Sequence, residues 1–471
     1  MARTRFLGAL PLAALLGGLA GCASLSPDHG FDAVRAHTAA ELGKTVSWAR
    51  SDGERETLRQ DVQRLLAQPL TVDDAVQVAL LNNPGLQATY AELGIAEAAL
   101  VQAGRLRNPG FTFARLARDG ENGEIVDIER KFLFDVLGLL TLSTRTQIET
   151  RRFEQTKLRV SREVLRLAAD TRRAWYEAVA AEQAVHYLES VKEAADAGAE
   201  LARRMAAVGN LNRLDALRQQ VFYAEAVAEL ARARERALRS RERLIRLMGL
   251  FGEQTAFRLP ERLPELPAAV REERELEAAA IRRRLDIAMA RREVDGLAAS
   301  LGLTRATRFV NVLEASYLRN STTGEPRQTG YEIELSIPLF DFGEAKVARA
   351  EAVYLQAVNR LAEIAVNARS EVREAYNAYR TAYDLARHYR DEIVPAAKRI
   401  SEEQLLRYNG MLIGVFELLA DARSQIAAVS ASITALRDFW LAETDLNTAL
   451  TVGGVRGVAL AAPAAAAEGG H

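Results

Sequence analysis

Cysteine occurs once in 471 residues, as Cys22, and its scarcity excludes several kinds of site. One thiol cannot form a disulfide within the chain or supply a thiolate metal cluster. Histidine is also rare, and no two of the five have metal-ligand spacing; they are His29, His37, His186, His388 and His471. The sequence has no glycine-rich phosphate loop and no catalytic constellation. We therefore predict a protein that is not an enzyme and that holds no cofactor and no metal.

Net charge and aromatic side chains are also scarce. Lys and Arg number 62 and Asp and Glu 63, for a formal net charge of −1, which argues against a nucleic-acid partner. Aromatic residues make up 6% of the chain, and much of the 49% hydrophobic content is alanine. Alanine-rich and charge-rich sequence favours long, closely packed helices. Beyond the leader, no apolar run approaches the roughly 20 residues of a membrane-spanning helix.

The leader, residues 1–21, has the features of an export signal: two early arginines, an apolar stretch and small residues at its end. Its last residues, Leu-Ala-Gly before Cys22, resemble a bacterial lipoprotein signal. The resemblance implies cleavage before Cys22, which would become a diacylated first residue. Ala23, in place of Asp, implies delivery to the outer membrane. The alternative is an ordinary secretory signal with an incidental cysteine.

The rest of the chain divides into two similar units. Proline-rich "RLPERLPELP" lies between them, where it cannot continue a helix. A shift of about 200 residues pairs Ala79 with Ala280, Trp175 with Tyr376 and Gly209 with Gly410, as expected of an internal duplication. The predicted segments are an N-terminal segment at 22–69, a first unit at 70–250, a linker at 251–269, a second unit at 270–452 and a disordered tail at 453–471.

Each unit is predicted to contain a helix, two strands, a long helix, a break and a last helix. The long helices should run from about Thr141 to Ala207 and from about Gly343 to Tyr408. At about 1.5 Å per residue each would be close to 100 Å long, too long for a compact core. Their alanine and leucine stripes are flanked by charges on more than one side. A coiled coil and a hollow barrel of helices both satisfy this pattern.

The strands are predicted from alternation of apolar and polar residues. In the first hairpin Asp127, Glu129 and Lys131 alternate with apolar residues, although Arg130 breaks the apolar side. The second hairpin alternates more regularly, with Glu332, Glu334 and Ser336 opposite Tyr331, Ile333, Leu335, Ile337 and Leu339. Arms of about ten residues suit strands that cross a bilayer. Two soluble hairpins packed on helices would show the same alternation.

Five stretches together resemble TolC-type outer-membrane efflux proteins, over about residues 70 to 450. They are "LTVDDAVQVALLNNPGLQA", "LRNPGFTF", "AVGNLNRLDALRQQ", "IPLFDFG" and "YNGMLIGVFELLADARSQ". The resemblance implies a mainly α fold with a small β part, in which duplicated long-helix units form a trimeric periplasmic α-barrel capped by a shared 12-stranded outer-membrane β-barrel. It also implies a passive exit duct, opened when a periplasmic adaptor and an inner-membrane pump dock.

The same resemblance implies places for function. Adaptor docking falls at the helix breaks, on Gly209, Asn210, Leu211, Gly410, Met411 and Leu412. The pore constriction falls near Asp215, Glu417 and Asp421, although merely solvated acids are the alternative. Asp127, Glu129, Glu332 and Glu334 would line the barrel lumen, and acyl chains on Cys22 would enter outer-membrane lipid. The competing function is an outer-membrane lipoprotein whose coiled-coil stalk acts as a periplasmic scaffold.

Overall fold

The computed structural model describes residues 24–453 except 121, 122, 273, 274, 311 and 337, and it leaves out the side chains of residues 415–417, 419 and 420. The N-terminal segment contains helices α1 (Phe31–Leu42) and α2 (Asp52–Leu66). Between them an extended stretch is held by two glutamines. Gln77 Oε1 accepts a hydrogen bond from Thr45 N, and Gln77 Nε2 donates to Thr45 O. Gln87 Oε1 accepts from Ala49 N, and Gln87 Nε2 donates to Ser47 O.

The two repeats have the same order of elements. The first contains α3 (Val72–Asn82), α4 (Pro84–Ala103), β1 (Gly110–Gly120), β2 (Gly123–Asp135), α5 (Val136–Ala207) and α6 (Arg213–Met248). The second contains α7 (Leu276–Arg283), α8 (Leu285–Thr307), β3 (Leu313–Thr322), β4 (Gln328–Leu335), α9 (Glu344–His388), α10 (Val394–Asn409) and α11 (Val415–Thr451). This common order is what an internal duplication produces.

Local sequence explains where several helices begin. Thr71 is the N-cap of α3, and its hydroxyl accepts a hydrogen bond from Asp74 N at 3.1 Å. Ser51 and Glu54 form a capping box at the start of α2. None of the helices in the described part of the chain has the length and hydropathy needed to cross a membrane.

The chain folds as two compact units that do not coincide with the sequence repeats. Among the described residues, one unit contains residues 24–34, 90–160 and 288–363. The other contains residues 35–89, 161–287 and 364–453. Each repeat therefore contributes to both units, because the hairpins of the two repeats join in one sheet.

That sheet has four antiparallel strands in the order β1-β2-β3-β4. Phe132 of β2 lies opposite Phe111 of β1 and Tyr317 of β3, and Tyr317 lies opposite Tyr331 of β4. β1 and β3 begin after helices, and β2 and β4 end before helices. All four strands therefore join their helices at one end of the sheet, and the two hairpin turns lie at the other end.

One sequence expectation about element length was wrong. β4 ends at Leu335 and does not continue to Leu339, because Pro338 has no N–H to donate to a strand ladder. Ile337 lies outside the described residues.

The second long helix has the predicted extent, since helical residues run without a break from Glu344 to Asn409. It contains a π turn at Tyr389–Ile393, where Val394 N donates to Tyr389 O. Pro395 follows Val394, and its missing N–H and bulky ring prevent a regular α-helical turn there.

The second compact unit has a core of alanine and aromatic side chains. Tyr176 stacks on Trp440 with ring centroids 5.4 Å apart, and Phe439 is fully buried beside Trp440. Trp440 Nε1 donates to Pro264 O at 3.1 Å, and Tyr383 Oη donates to Pro267 O at 3.1 Å. These bonds satisfy the buried polar atoms of the aromatic residues. The proline-rich linker is therefore packed into this core.

The short extended link between the first two helices of each repeat has the same structural role in both. Asn83 and Arg284 occupy these links, with φ/ψ of −68°/117° and −64°/127°. Asn83 Nδ2 donates to Leu247 O at 2.8 Å, and Arg284 Nη1 donates to Ala449 O at 3.3 Å. Both carbonyls lie near the end of the last helix of the repeat, where they have no helical donor. The two side chains thus fasten the ends of each repeat together.

Candidate functional site

The polar face of the four-stranded sheet contains all four acids that were predicted to line a lumen. Asp127 and Glu129 point to the same face of the sheet as Glu332 and Glu334, as the register of the strands requires. Lys131 shares this face, and its Nζ lies 3.0 Å from Glu332 Oε1. Arg118 is the other cation on this face among the described strand residues.

Two further carboxylates on this face were missed from the sequence. Asp135 of β2 lies opposite Glu314 of β3, and Glu314 lies opposite Glu334 of β4. The three carboxylates form one row across three strands at the helix end of the sheet. Asp135 accepts a hydrogen bond from Gly138 N at 2.6 Å, and Arg107 Nε lies 3.8 Å from its Oδ2, so its charge is partly balanced within the chain. Glu314 and Glu334 lie directly opposite each other and repel, so this pair favours a bound or passing cation. Only the register between the repeats brings these residues together, which explains why sequence periodicity did not identify them.

The opposite face of the sheet is apolar and exposed. Phe111, Phe132, Tyr317 and Tyr331 form a continuous aromatic row across all four strands. Their exposed fractions are 57%, 42%, 48% and 83%. Ile333 and Leu335, further toward the helices, are exposed on the same face. A sheet with one polar face and one exposed apolar face bounded by aromatic residues is typical of strands that meet lipid.

The two helix breaks have the same backbone conformation. Their equivalent residues are offset by one position from the alignment that the sequence predicts. After α5, Asn210 N donates to Met205 O at 2.9 Å and Gly209 has φ +79°. After α10, Leu412 N donates to Arg407 O at 2.9 Å, and the residue with positive φ is Met411 at +54°. Each is a Schellman-type helix end, which needs one left-handed residue. The structural equivalent of Gly209 is therefore Met411; the expected match with Gly410, whose φ is −81°, was wrong.

This difference predicts opposite effects of two substitutions. Gly209→Ala should lower the free energy of unfolding by about 1 kcal/mol, and Met411→Gly should raise it by about 1 kcal/mol, because a left-handed backbone costs a residue with a side chain about that much. An added Cβ at Gly209 meets no atom within 4 Å, so backbone strain is the cause. Urea unfolding in detergent measures both effects. Gly410→Ala is the matched control and should change little; equal losses at 209 and 410 would contradict the assignment.

Among the predicted constriction acids, Asp215 has a defined local role. Asn212 is the N-cap of α6, and its Oδ1 accepts from Asp215 N at 2.9 Å. The Asp215 carboxylate is buried beside Asn212 and lies 3.4 Å from Arg218 Nη1. Asp421 is half-buried in α11, and the side chain of Glu417 lies outside the described residues. The constriction role of these acids stays a prediction.

Cys22, the predicted lipidation site, lies outside the described residues, but the chain just after it has a defined attachment. Ser26 N donates to Glu97 Oε1 at 2.8 Å, and His29 Nδ1 lies 2.5 Å from Glu97 Oε2. Glu97 is 5% exposed on α4. Burial raises the pKa of Glu97, but hydrogen bonds from Ser26 and His29 outweigh burial and hold the pKa below its usual range. This carboxylate fastens the N-terminal segment to α4.

Glu97→Gln should therefore loosen residues 24–30 at neutral pH, with hydrogen-exchange protection about tenfold lower, because charge-assisted hydrogen bonds are lost. In the wild type, the lowered pKa means that the attachment is present above the ordinary carboxyl pKa. It is lost as pH falls through the folded pKa, which lies below the ordinary carboxyl pKa. Exchange measured by mass spectrometry between pH 7 and pH 3 checks both points. Glu92→Gln, on the same helix with Arg159 3.9 Å away, should leave the segment protected; protection unchanged in Glu97→Gln would refute the attachment.

Comparison with known proteins supports the resemblance seen in the sequence. Residues 277–450 match the family described as "Outer membrane efflux protein". Over 290 residues the chain is 24% identical to the cobalt-zinc-cadmium resistance protein CzcC of Cupriavidus metallidurans. This alignment covers 61% of this chain and 67% of CzcC. The two matches confirm the resemblance to outer-membrane efflux proteins.

Solved structures show what fold the chain has. The Campylobacter jejuni CmeC outer membrane channel has a TM-score of 0.69 at 14% identity, covering 81% of this chain and 86% of CmeC. The open-state MtrE outer membrane channel of Neisseria gonorrhoeae has a TM-score of 0.66 at 16% identity, covering 81% and 89%. The mainly helical fold with a small sheet is thus confirmed as that of outer-membrane channels. CmeC and MtrE, which share this fold, are outer membrane channels.

Proposed function

We propose that this protein is the outer-membrane exit duct of a tripartite efflux system, working as a homotrimer. The observation that carries the proposal is the four-stranded sheet. Its outer strands β1 and β4 pair with no further strand in the described part of the chain, and its apolar face is exposed. Three copies would supply twelve strands to one closed barrel, with the polar face around the lumen.

In lipid, the sheet is expected to close into a barrel with the sheets of further copies of this chain. Unpaired backbone groups in hydrocarbon cost several kcal/mol each, so an open sheet edge is not stable there. Four strands cannot enclose an aqueous interior by themselves. If the exposed Phe, Tyr and Ile side chains enter lipid, the edges β1 and β4 must therefore pair with neighbouring copies.

The helix breaks are the proposed contact with the periplasmic adaptor, which would connect the duct to an inner-membrane pump. Apolar side chains are exposed at both breaks, including Val208, Leu214, Met411 and Leu412; the last two are 93% and 77% exposed. Exposed apolar side chains of this kind mark protein-protein contacts. Asp215, Glu417 and Asp421 would lie near the constriction that opens when the adaptor docks.

We further propose that metal cations are the cargo. The relative CzcC is named for resistance to cobalt, zinc and cadmium. On the polar face of the sheet, carboxylates outnumber the two cations Arg118 and Lys131, and three of them form the row Asp135, Glu314 and Glu334. Carboxylate rings favour cations over anions in pores.

The first experiment is the native mass of the mature protein, extracted from outer membranes in mild detergent, followed by conductance in planar bilayers. A mass of three chains and a steady single-channel conductance are expected. A stable monomer that conducts nothing would refute the duct and favour the alternative, a lipid-anchored scaffold with a helical stalk. A conducting trimer would exclude the scaffold, because a spacer has no pore.

Cys22 is the proposed site of lipidation, and its acyl chains would enter the inner leaflet of the outer membrane. Each buried CH₂ contributes about 0.8 kcal/mol, so two chains hold firmly. Because the barrel is itself inserted in lipid, we expect the acyl chains to act in targeting and assembly. Cys22→Ala should slow the appearance of trimers after pulse labelling, while the conductance of the trimers that form stays unchanged. Assembly at the wild-type rate would argue against this role.

A further inference from the structure

Two arginines interrupt the apolar face of the sheet at the same level. Arg130 of β2 lies directly opposite Arg319 of β3, one row beyond the aromatic row and toward the hairpin turns. Their neighbours in the row are Phe113 of β1 and Thr329 of β4. Arg130 Cζ lies 6.0 Å from the centre of the Phe113 ring, so its guanidinium lies along the apolar face. The sequence showed Arg130 as an isolated break in the pattern, and the register makes it half of a pair.

This pair has no counter-charge in the described part of the protein. Neither arginine forms an ion pair there, whereas Arg115, one row further on, has Glu124 3.5 Å away. Like charges opposite each other on neighbouring strands destabilise a sheet. If this face enters lipid, two guanidinium groups at one place on it need an anion from outside the described residues.

The position of the pair indicates where that anion lies. Aromatic rows mark the level at which membrane-facing strands leave the hydrocarbon. The arginines lie two residues beyond that row, about 7 Å along the strands, on the side away from the helices. In the proposed orientation this is the level of the headgroups of the outer leaflet. β2 and β3 are the two central strands of the sheet. The neighbouring copies that would pair with β1 and β4 therefore lie beyond Phe113 and Thr329 and not next to the two arginines.

We propose that Arg130 and Arg319 together bind the phosphate of a lipid headgroup in the outer leaflet of the outer membrane. Guanidinium groups bind phosphate oxygens with paired, charge-assisted hydrogen bonds, which are stronger than neutral ones. The acyl chains of the same lipid would lie on the exposed aromatic row and on Ile333 and Leu335. This inference rests on the proposed orientation of the sheet in the outer membrane.

Native mass spectrometry of the full-length protein in mild detergent tests the site. Wild-type trimers should bind diphosphorylated lipid A at least about tenfold more tightly than the same lipid after enzymatic removal of its phosphates. Arg130→Gln/Arg319→Gln should lose this preference. Arg319→Gln by itself should weaken the preference for the phosphorylated lipid. Because Arg319 is exposed, this single variant tests the site even if the double variant does not assemble. Arg118→Gln, a strand arginine on the opposite face, is the matched control and should keep the preference.

Each other outcome is decisive. A trimer that binds both lipids equally overturns the phosphate site but leaves the duct intact. Equal loss of preference in Arg118→Gln overturns it as well, because general charge would then explain the binding. If inorganic phosphate displaces lipid A at a concentration equal to that of the lipid, the arginine pair binds free phosphate, and the proposed headgroup site is refuted. A wild-type protein that is monomeric overturns the proposed function and, with it, this inference.

Discussion

Arg284→Ala is expected to lower the free energy of unfolding by about 3–5 kcal/mol, the cost of breaking a buried ion pair by removing one partner. The Arg284 side chain is 1% exposed. Its Nη2 donates to Asp286 Oδ2 at 2.7 Å and its Nη1 to Glu371 Oε2 at 2.7 Å, and it also donates to Ala449 O. Without it, the buried Asp286 carboxylate would lose the cation beside it.

The pKa of Arg284 shows the same balance. Burial lowers this pKa, but the hydrogen bonds and charges of Asp286 and Glu371 more than compensate and raise it above its usual value. Arg284 therefore stays charged throughout the accessible pH range. Its loss should destabilise the compact unit that contains residues 161–287 and 364–453.

Urea unfolding in detergent, followed by far-ultraviolet circular dichroism, measures this loss. Arg283→Ala is the matched control, since Arg283 is the preceding residue and pairs with Glu41 at 2.9 Å near the surface. Exposed pairs contribute about 0–1 kcal/mol, so the control should change little. If both variants lose stability equally, the buried network does not carry the effect. Arg284→Met, which fills the volume without the charge, should be as unstable as Arg284→Ala, because the unpaired Asp286 charge dominates.

Glu314→Gln/Glu334→Gln is expected to lower the preference of the channel for cations over anions by about tenfold, at the lower end of what electrostatic focusing produces in a narrow cleft. The two residues lie opposite each other on the polar face beside Asp135. In the proposed trimer this variant removes six carboxylates from one level of the lumen, so the local concentration of cations should fall. Reversal potentials in a KCl gradient across a planar bilayer measure the preference directly.

Glu325→Gln is the control for this prediction. Glu325 lies in the turn between β3 and β4, outside the rows of the polar face. It should leave the reversal potential nearly unchanged at 0.15 M salt, where charges more than about 8 Å from the conducting path are screened. A cation preference that survives removal of Glu314 and Glu334 would place the selectivity elsewhere, with the constriction acids as the next candidates. The same measurement at 1 M salt should show a weaker preference in the wild type.

Much of the fold was predictable from the sequence because its signals are local. Period-two alternation placed Asp127, Glu129, Glu332 and Glu334 on one face, and the register confirms that they share it. The helix start at Thr71 and the helix break at Gly209 each depend on the preferences of a few neighbouring residues. The duplicated order of elements follows from repetition of such local patterns along the chain.

Other features required contacts between residues far apart in the chain. The sequence does not contain the register of β2 against β3, which pairs Arg130 with Arg319 and completes the acidic row at Glu314. A slip of one residue would move each of these side chains to the other face. Met411 was misaligned for a related reason, since the left-handed residue is set by where the last helical turn closes and not by where a glycine stands.

The sequence by itself thus determined the helices, the two-faced strands, the duplication and the family resemblance, because these depend on local propensity and on patterns repeated along the chain. The tertiary structure decided which charges are neighbours. It buried Arg284 between Asp286 and Glu371 and placed Asp215 beside the N-cap of α6. It also aligned carboxylates from both repeats at one level of the sheet. The physical reason is that electrostatic interactions depend on distances in space, and the packing of the two repeats sets those distances.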